Sequence, residues 1–183
     1  MENCVKAILY CYPRLGGIED GYLEHIRNKA VLSSDGREPA QKLAEYLAFE
    51  VLQKAKVREL REMVDRALTN LSMEEKLLLS VRYFGKMDRV KRAFAAKYAG
   101  IADQSMQTVK YWSERTYFRK QKRLLLKLCN RLAVLGLTKE KFVEEYASLD
   151  GIGATYTYIE LGKDIGLEKK ERAFLDFLEE IRG

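Results

Sequence analysis

The stretch WSERTYFRKQKRLLLKL, residues 112–128, decides how the chain folds. Tyr117, Gln121, Leu124 or Leu125, Leu128 and Leu132 recur at spacings of three and four, the period of one helix face, and all but Gln121 are apolar. Arg115, Phe118, Arg119, Lys122 and Arg123 fall mostly on the rest of the helix surface. Ser113 suits the N-cap, because its hydroxyl can accept an orphan backbone N–H of the first turn. Glu114 stands in that turn, where the helix dipole favours an acid. The stretch therefore predicts an amphipathic helix that packs one side and presents cations on the other. Two uses fit such a helix: a solvated surface element, or one that enters a DNA major groove.

The distribution of charge separates these uses. The chain has 183 residues and a formal net charge of +6. Residues 82–131 carry 14 Lys and Arg against 3 Asp and Glu, whereas residues 1–81 carry 12 against 13 and residues 132–183 carry 7 against 11. A basic excess confined to one segment is the footprint of a polyanion binder, and solubility needs no such concentration.

Composition sets further bounds. An apolar fraction of 47% with only two prolines points to a globular, helical protein. No run reaches the length of a membrane span, and residues 1–13 lack the pattern of a signal peptide. A cytoplasmic protein with no membrane association is expected. Cys4, Cys11, Cys129 and the single His25 have no metal-ligand spacing, so reduced thiols, no metal and no cofactor are expected. Gly151-Ile152-Gly153 reads as a turn, being too short for a dinucleotide fingerprint. The adjacent pairs Glu74-Glu75 and Glu144-Glu145 point in different directions on a helix. No catalytic residue is assigned, and the expected role is not enzymatic. Tyr111 and Trp112 suit either packing between helices or stacking on a nucleobase.

Along the chain, residues 2–12 read as a short apolar helix stopped before Pro13. Leu15, Ile18, Tyr22 and Ile26 give a second helix, and residues 33–36 a turn. Pro39 suits the first turn of a long helix. Its predicted stripe is Leu43, Leu47, Val51 and Ala55, then Val57, Leu60, Val64 and Leu68, a rod of roughly 45 Å. That stripe needs a partner, either the preceding helix folded back or a second subunit, so a homodimer through residues 39–68 stays open. Ser72 and Glu75 form a capping box for a helix with Leu77, Leu78, Val81 and Phe84 inward, ended by Gly85. Residues 89–98 read as a short basic helix, 99–103 as a loop and 104–111 as further turns. The central helix runs on to Leu135 and is closed by Gly136. Thr138 caps a helix to Leu149, residues 155–161 suit a strand or a helix, and residues 168–181 form a last amphipathic helix. The expected fold is all-α: an N-terminal helical hairpin over residues 1–70, a basic DNA-binding region over 71–136, and an acidic C-terminal helical tail over 137–183.

Leu71-Ser72-Met73-Glu74-Glu75 followed by Arg82-Tyr83-Phe84-Gly85 resembles the opening helix of region four of bacterial sigma factors, and residues 113–128 resemble its recognition helix. The same outline occurs in the sigma-like regulators of phages and prophages of Gram-positive bacteria, including the ArpU-type late transcription regulators. The resemblance spans residues 71–128. It departs from the family where residues 87–112 exceed the usual spacing and Tyr111-Trp112 replaces the glycine of the turn. Residues 1–70 do not resemble sigma region two. The resemblance implies a helix-turn-helix core and sequence-preferring binding of double-stranded DNA in transcription regulation, with RNA polymerase as a candidate partner. By it, Ser113, Glu114, Arg115, Phe118, Arg119 and Lys122 face the bases, where arginine pairs with guanine and an apolar side chain meets a thymine methyl. Lys86, Arg89, Lys91, Arg92, Lys110 and Lys120 then hold phosphates. Two alternatives remain open: a phage DNA-packaging factor of the small-terminase kind, and a helical adaptor that binds protein rather than DNA.

Overall fold

The computed structural model describes residues 1–32, 39–85, 108–162 and 165–182. Among them every regular element is helical and none is a strand, so the all-α expectation is met. Helix α1 spans Glu2–Cys11, α2 Leu15–Leu32, α3 Ala40–Leu68, α4 Met73–Arg82 and α5 Glu114–Val134. A short α6, Lys139–Lys141, runs into a π-helical turn over Phe142–Tyr146. Helices α7, Ile152–Glu160, and α8, Ile165–Glu180, complete the order. Pro13 tightens the α1–α2 joint into one 3-10 turn, Tyr12–Arg14, where its missing N–H leaves no bond unmade.

Helix α2 folds back along α3, which settles one partner of the long stripe. Glu19 on α2 holds the pair together: one carboxylate oxygen lies 2.8 Å from Arg58 and the other 2.8 Å from Arg61. The buried stripe of α3 differs from the expected one. It passes through Glu50, Gln53, Val57, Leu60, Val64 and Ala67, while Val51 and Ala55 are exposed. Each step of four overshoots a helical turn by about 40°, so consecutive i+4 steps drift off the face. The buried Glu50 carboxylate lies 3.5 Å from His25 Nδ1 of α2.

Helix α1 is apolar on most sides and lies in the core, with Cys4, Val5, Ala7, Ile8, Leu9 and Cys11 buried. It packs against α5 and α7. Residues 155–160, whose sequence suited strand or helix, are helical within α7. Gly153 at its start is required: a Cβ there would sit 1.9 Å from the Ala147 carbonyl oxygen. On the other side, α5 packs against α3. Arg131 of α5 donates to the carbonyls of Ala67 and Thr69, at 2.7 and 2.8 Å, satisfying acceptors that the end of α3 leaves open. The capping box that starts α4 is present, with the Glu75 N–H donating to Ser72 Oγ and the Ser72 N–H to Glu75 Oε2.

Helices α4, α5 and α8 meet around a buried polar network. Glu171 on α8 is 2% exposed. Its Oε1 accepts from Arg82 Nη1 at 2.8 Å and from the Tyr117 hydroxyl at 3.1 Å. Gln121 donates to that hydroxyl and to the Leu78 carbonyl, both at 3.0 Å. Gln121 thus interrupts the apolar face of α5 for a reason: it supplies the donor that α4 and Tyr117 need. Removing Glu171 leaves the Arg82 guanidinium without this counter-ion. Glu171→Ala should lose about 3–5 kcal/mol of unfolding free energy, the cost of stranding one member of a buried pair. Tyr117→Phe should lose about 1–3 kcal/mol. Denaturant titration followed by circular dichroism measures both, and losses near zero for both would contradict the network's role.

Candidate nucleic-acid interface

Helix α5 positions the basic residues. Ser113 starts it as expected: its hydroxyl accepts from the Thr116 N–H at 3.3 Å and donates to Thr116 Oγ1 at 3.0 Å. That hydroxyl is engaged in capping. Glu114 is exposed in the first turn.

The cations of α5 fall into two sets. Lys120 pairs with Glu74 at 2.5 Å, and its ammonium lies 4.6 Å from the centre of the Trp112 ring. Lys127 pairs with Glu75 at 2.7 Å. Arg131 is taken up by the carbonyls at the end of α3. These three face α4 and α3 and join helices. Arg115, Arg119, Lys122 and Arg123 are exposed on the outer side, and among the described residues no carboxylate stands within ion-pair distance of them. Arg115, Arg119 and Arg123 follow one another at i+4. Like charges at that spacing destabilise a helix by about 0.2–0.5 kcal/mol per pair. Arg115 also stands near the positive end of the helix dipole. The outer set therefore costs the helix stability and makes no compensating ion pair among the described residues.

Of the residues expected at the bases, Arg115, Arg119 and Lys122 share this outer face. Phe118 lies at its margin, 39% exposed, its ring edge-on to Tyr117 at 5.3 Å. Of those expected at phosphates, Lys120 is paired within the chain, and Lys110 has its ammonium 5.9 Å from the Tyr111 ring centre. Lys86, Arg89, Lys91 and Arg92 lie outside the described residues, as do the short helix and loop expected over residues 89–103. Two members of the outer face were not singled out as site residues in the sequence. Arg123 follows Arg119 by four, a spacing that could have marked it. Leu126, 62% exposed, stands beside it, but the run Leu124-Leu125-Leu126 does not show which leucine points out.

Trp112 is buried, at 3% exposure, and is a core residue, whereas Tyr111 is exposed. The chain's end clasps this corner. Arg182 Nε donates to the Lys110 carbonyl at 2.7 Å, and its Nη2 donates to the Trp112 carbonyl. The start of α5 is thus fixed from outside by the segment after α8 and from inside by the Glu171 network.

Elsewhere, no group of three or more His, Cys, Asp or Glu is placed to hold a metal ion among the described residues. No described helix is long and apolar enough to cross a membrane. Burial pushes the Cys4 and Cys129 thiols up from their ordinary value, away from the reactive thiolate. No protein family, curated protein or solved structure was found to match the chain.

The α4–α5 seam carries a pH dependence. Burial opposes the charge of Glu75, but its bonds to Lys127 and the Ser72 N–H, with the charges of Lys127 and Arg131, outweigh burial and lower its pKa. A carboxylate whose pKa is lowered on folding stabilises the fold above its unfolded value of about 4.3, and that contribution disappears as pH falls through the folded value. Glu75→Gln should therefore be less stable than the parent at pH 7, with the gap closing in acid below about pH 4. Denaturant midpoints at pH 7 and in acid test this; a gap of constant size would contradict it.

Proposed function

We propose that the chain binds double-stranded DNA with a preference for sequence, laying the outer face of α5 in the major groove, and acts in transcription control. The observation that carries this reading is the segregation of cations on one helix. Those facing α4 and α3 are engaged within the fold, while Arg115, Arg119, Lys122 and Arg123 have no ion-pair partner among the described residues. A rigid helix offering unneutralised arginines at regular spacing suits a polyanion of regular spacing. Arg115 and Arg123 are two turns apart, roughly 12 Å along the axis, a span the major groove accommodates. Arginine can pair bidentately with guanine, and Leu126 among the cations could meet a thymine methyl. The sigma-like setting, with its helix-turn-helix core and candidate polymerase partner, rests on the resemblance of residues 71–85 and 113–128. An acidic protein surface is the competing ligand for the same face, and the test must separate the two.

Selection of bound duplexes from a random pool, followed by anisotropy on the enriched site and a scrambled one, does so. A consensus should emerge, and affinity should fall steeply with salt. Arg119→Ala should cost roughly 1–3 kcal/mol on the selected site and relax the choice of base there. Lys122→Ala should weaken both duplexes and lower the salt slope by about one. Lys127→Ala should leave affinity unchanged, because that ammonium faces Glu75. No enrichment together with salt-independent binding would contradict the reading and favour the protein ligand.

A further inference from the structure

Helix α3 carries a second stripe that is largely exposed among the described residues. Lys42, Glu45, Phe49, Leu52, Lys56 and Glu59 succeed one another at spacings of three and four, so they share one side of the helix. Phe49 is 55% and Leu52 54% exposed. They stand outside while Glu50 and Gln53 are buried. Further along the same side, Met63 and Ala67 are buried where α3 packs against the body of the molecule. Among the described residues the stripe is therefore largely exposed from Lys42 to Lys56, Glu59 meets Lys141, and the same side is covered beyond.

Its order of charges identifies the occupant. Read forward, the stripe is Lys, Glu, Phe, Leu, Lys, Glu. Set against a second copy running the other way, Lys42 meets Glu59, Glu45 meets Lys56 and Phe49 meets Leu52, and every pair occurs twice. We propose that the chain forms an antiparallel homodimer through this face of α3, with a two-fold axis between Phe49 and Leu52. Such an interface is isologous, the same patch serving both copies, and spacings of three and four are those of a helix–helix seam. A parallel pairing would set lysine against lysine and glutamate against glutamate. The seam is roughly 25 Å long. Helix α3 begins at Ala40, two residues before Lys42, so the partner's α3 starts level with the place where α3 of the first copy meets its body. Glu59 already holds Lys141 at 2.9 Å, but Glu145 lies 3.8 Å from the same ammonium. The three side chains leave one negative charge over, which Lys42 of a second copy would meet. The proposal does not rest on DNA binding, and its readout needs no DNA.

Analytical ultracentrifugation of the full chain without DNA tests it, with circular dichroism to verify folding. The parent should move from monomer to dimer mass as concentration rises through the micromolar range. Leu52→Glu should remain monomeric and helical. Lys56→Glu and Glu45→Lys should each weaken the dimer by at least tenfold, and the two changes together should restore it, since the pairs then form with exchanged signs. A parent that stays monomeric throughout that range would overturn the proposal. So would a dimer indifferent to these single changes, or a folded double variant that fails to re-associate.

Discussion

A carboxylate taken out of water is destabilising by several kcal/mol unless its oxygens are met by charge and hydrogen bonds. Glu171 is such a group, and the way its demand is satisfied sets the arrangement of three helices. It draws Arg82 from α4 and the Tyr117 hydroxyl from α5 onto one oxygen. Gln121, one turn beyond Tyr117, then engages the backbone of α4. Apolar burial is non-directional, and a face of leucines tolerates small rotations of a helix about its axis. Hydrogen bonds at fixed distances do not. The inner face of α5 is thus locked in rotation as well as in position, and the outer face inherits that constraint.

Seen from this lock, the cations of α5 divide by duty. Lys120 and Lys127 tie α5 to the two glutamates that open α4. One of those glutamates, Glu75, also closes the capping box, so one side chain serves both the start of α4 and its attachment to α5. What is left over is a row of arginines and one lysine whose mutual repulsion opposes the helix. In DNA binding, a helix of this kind gains from fixed geometry, because base readout depends on side chains arriving at defined positions.

The parts of the structure visible in the sequence are the ones built from near neighbours. Ser72, Ser113 and Thr138 cap helices as their local patterns indicate. The inner face of α5 follows from its spacing, and even Gln121 stands out there as a polar residue in an apolar row. Its partner does not, because Leu78 is 43 positions away and contributes only a backbone carbonyl. Glu171 is harder still: among the many acids of the tail, nothing local marks it as the one turned inward. The stripe of α3 failed in part for a different reason. Apolar Val51 and Ala55 extended a plausible row, but the helix buries Glu50 and Gln53 instead, and which side of α3 meets α2 is not a local property of the sequence. On the candidate interface, charge asymmetry pointed to α5, whose outer side carries Arg115, Arg119, Lys122 and Arg123. It could not tell Lys120 from Lys122, because Glu74 and the Trp112 ring stand against Lys120 alone through the fold.

The most direct measurement is to titrate isotopically labelled protein with a mixed-sequence duplex and follow the backbone amide signals. If the outer face of α5 enters the groove, the largest shifts will fall on Arg115, Arg119, Lys122, Arg123 and Leu126, will weaken as salt is added, and will leave the α2–α3 hairpin unchanged. Shifts that concentrate on the hairpin or on α7, with α5 silent, would contradict that assignment.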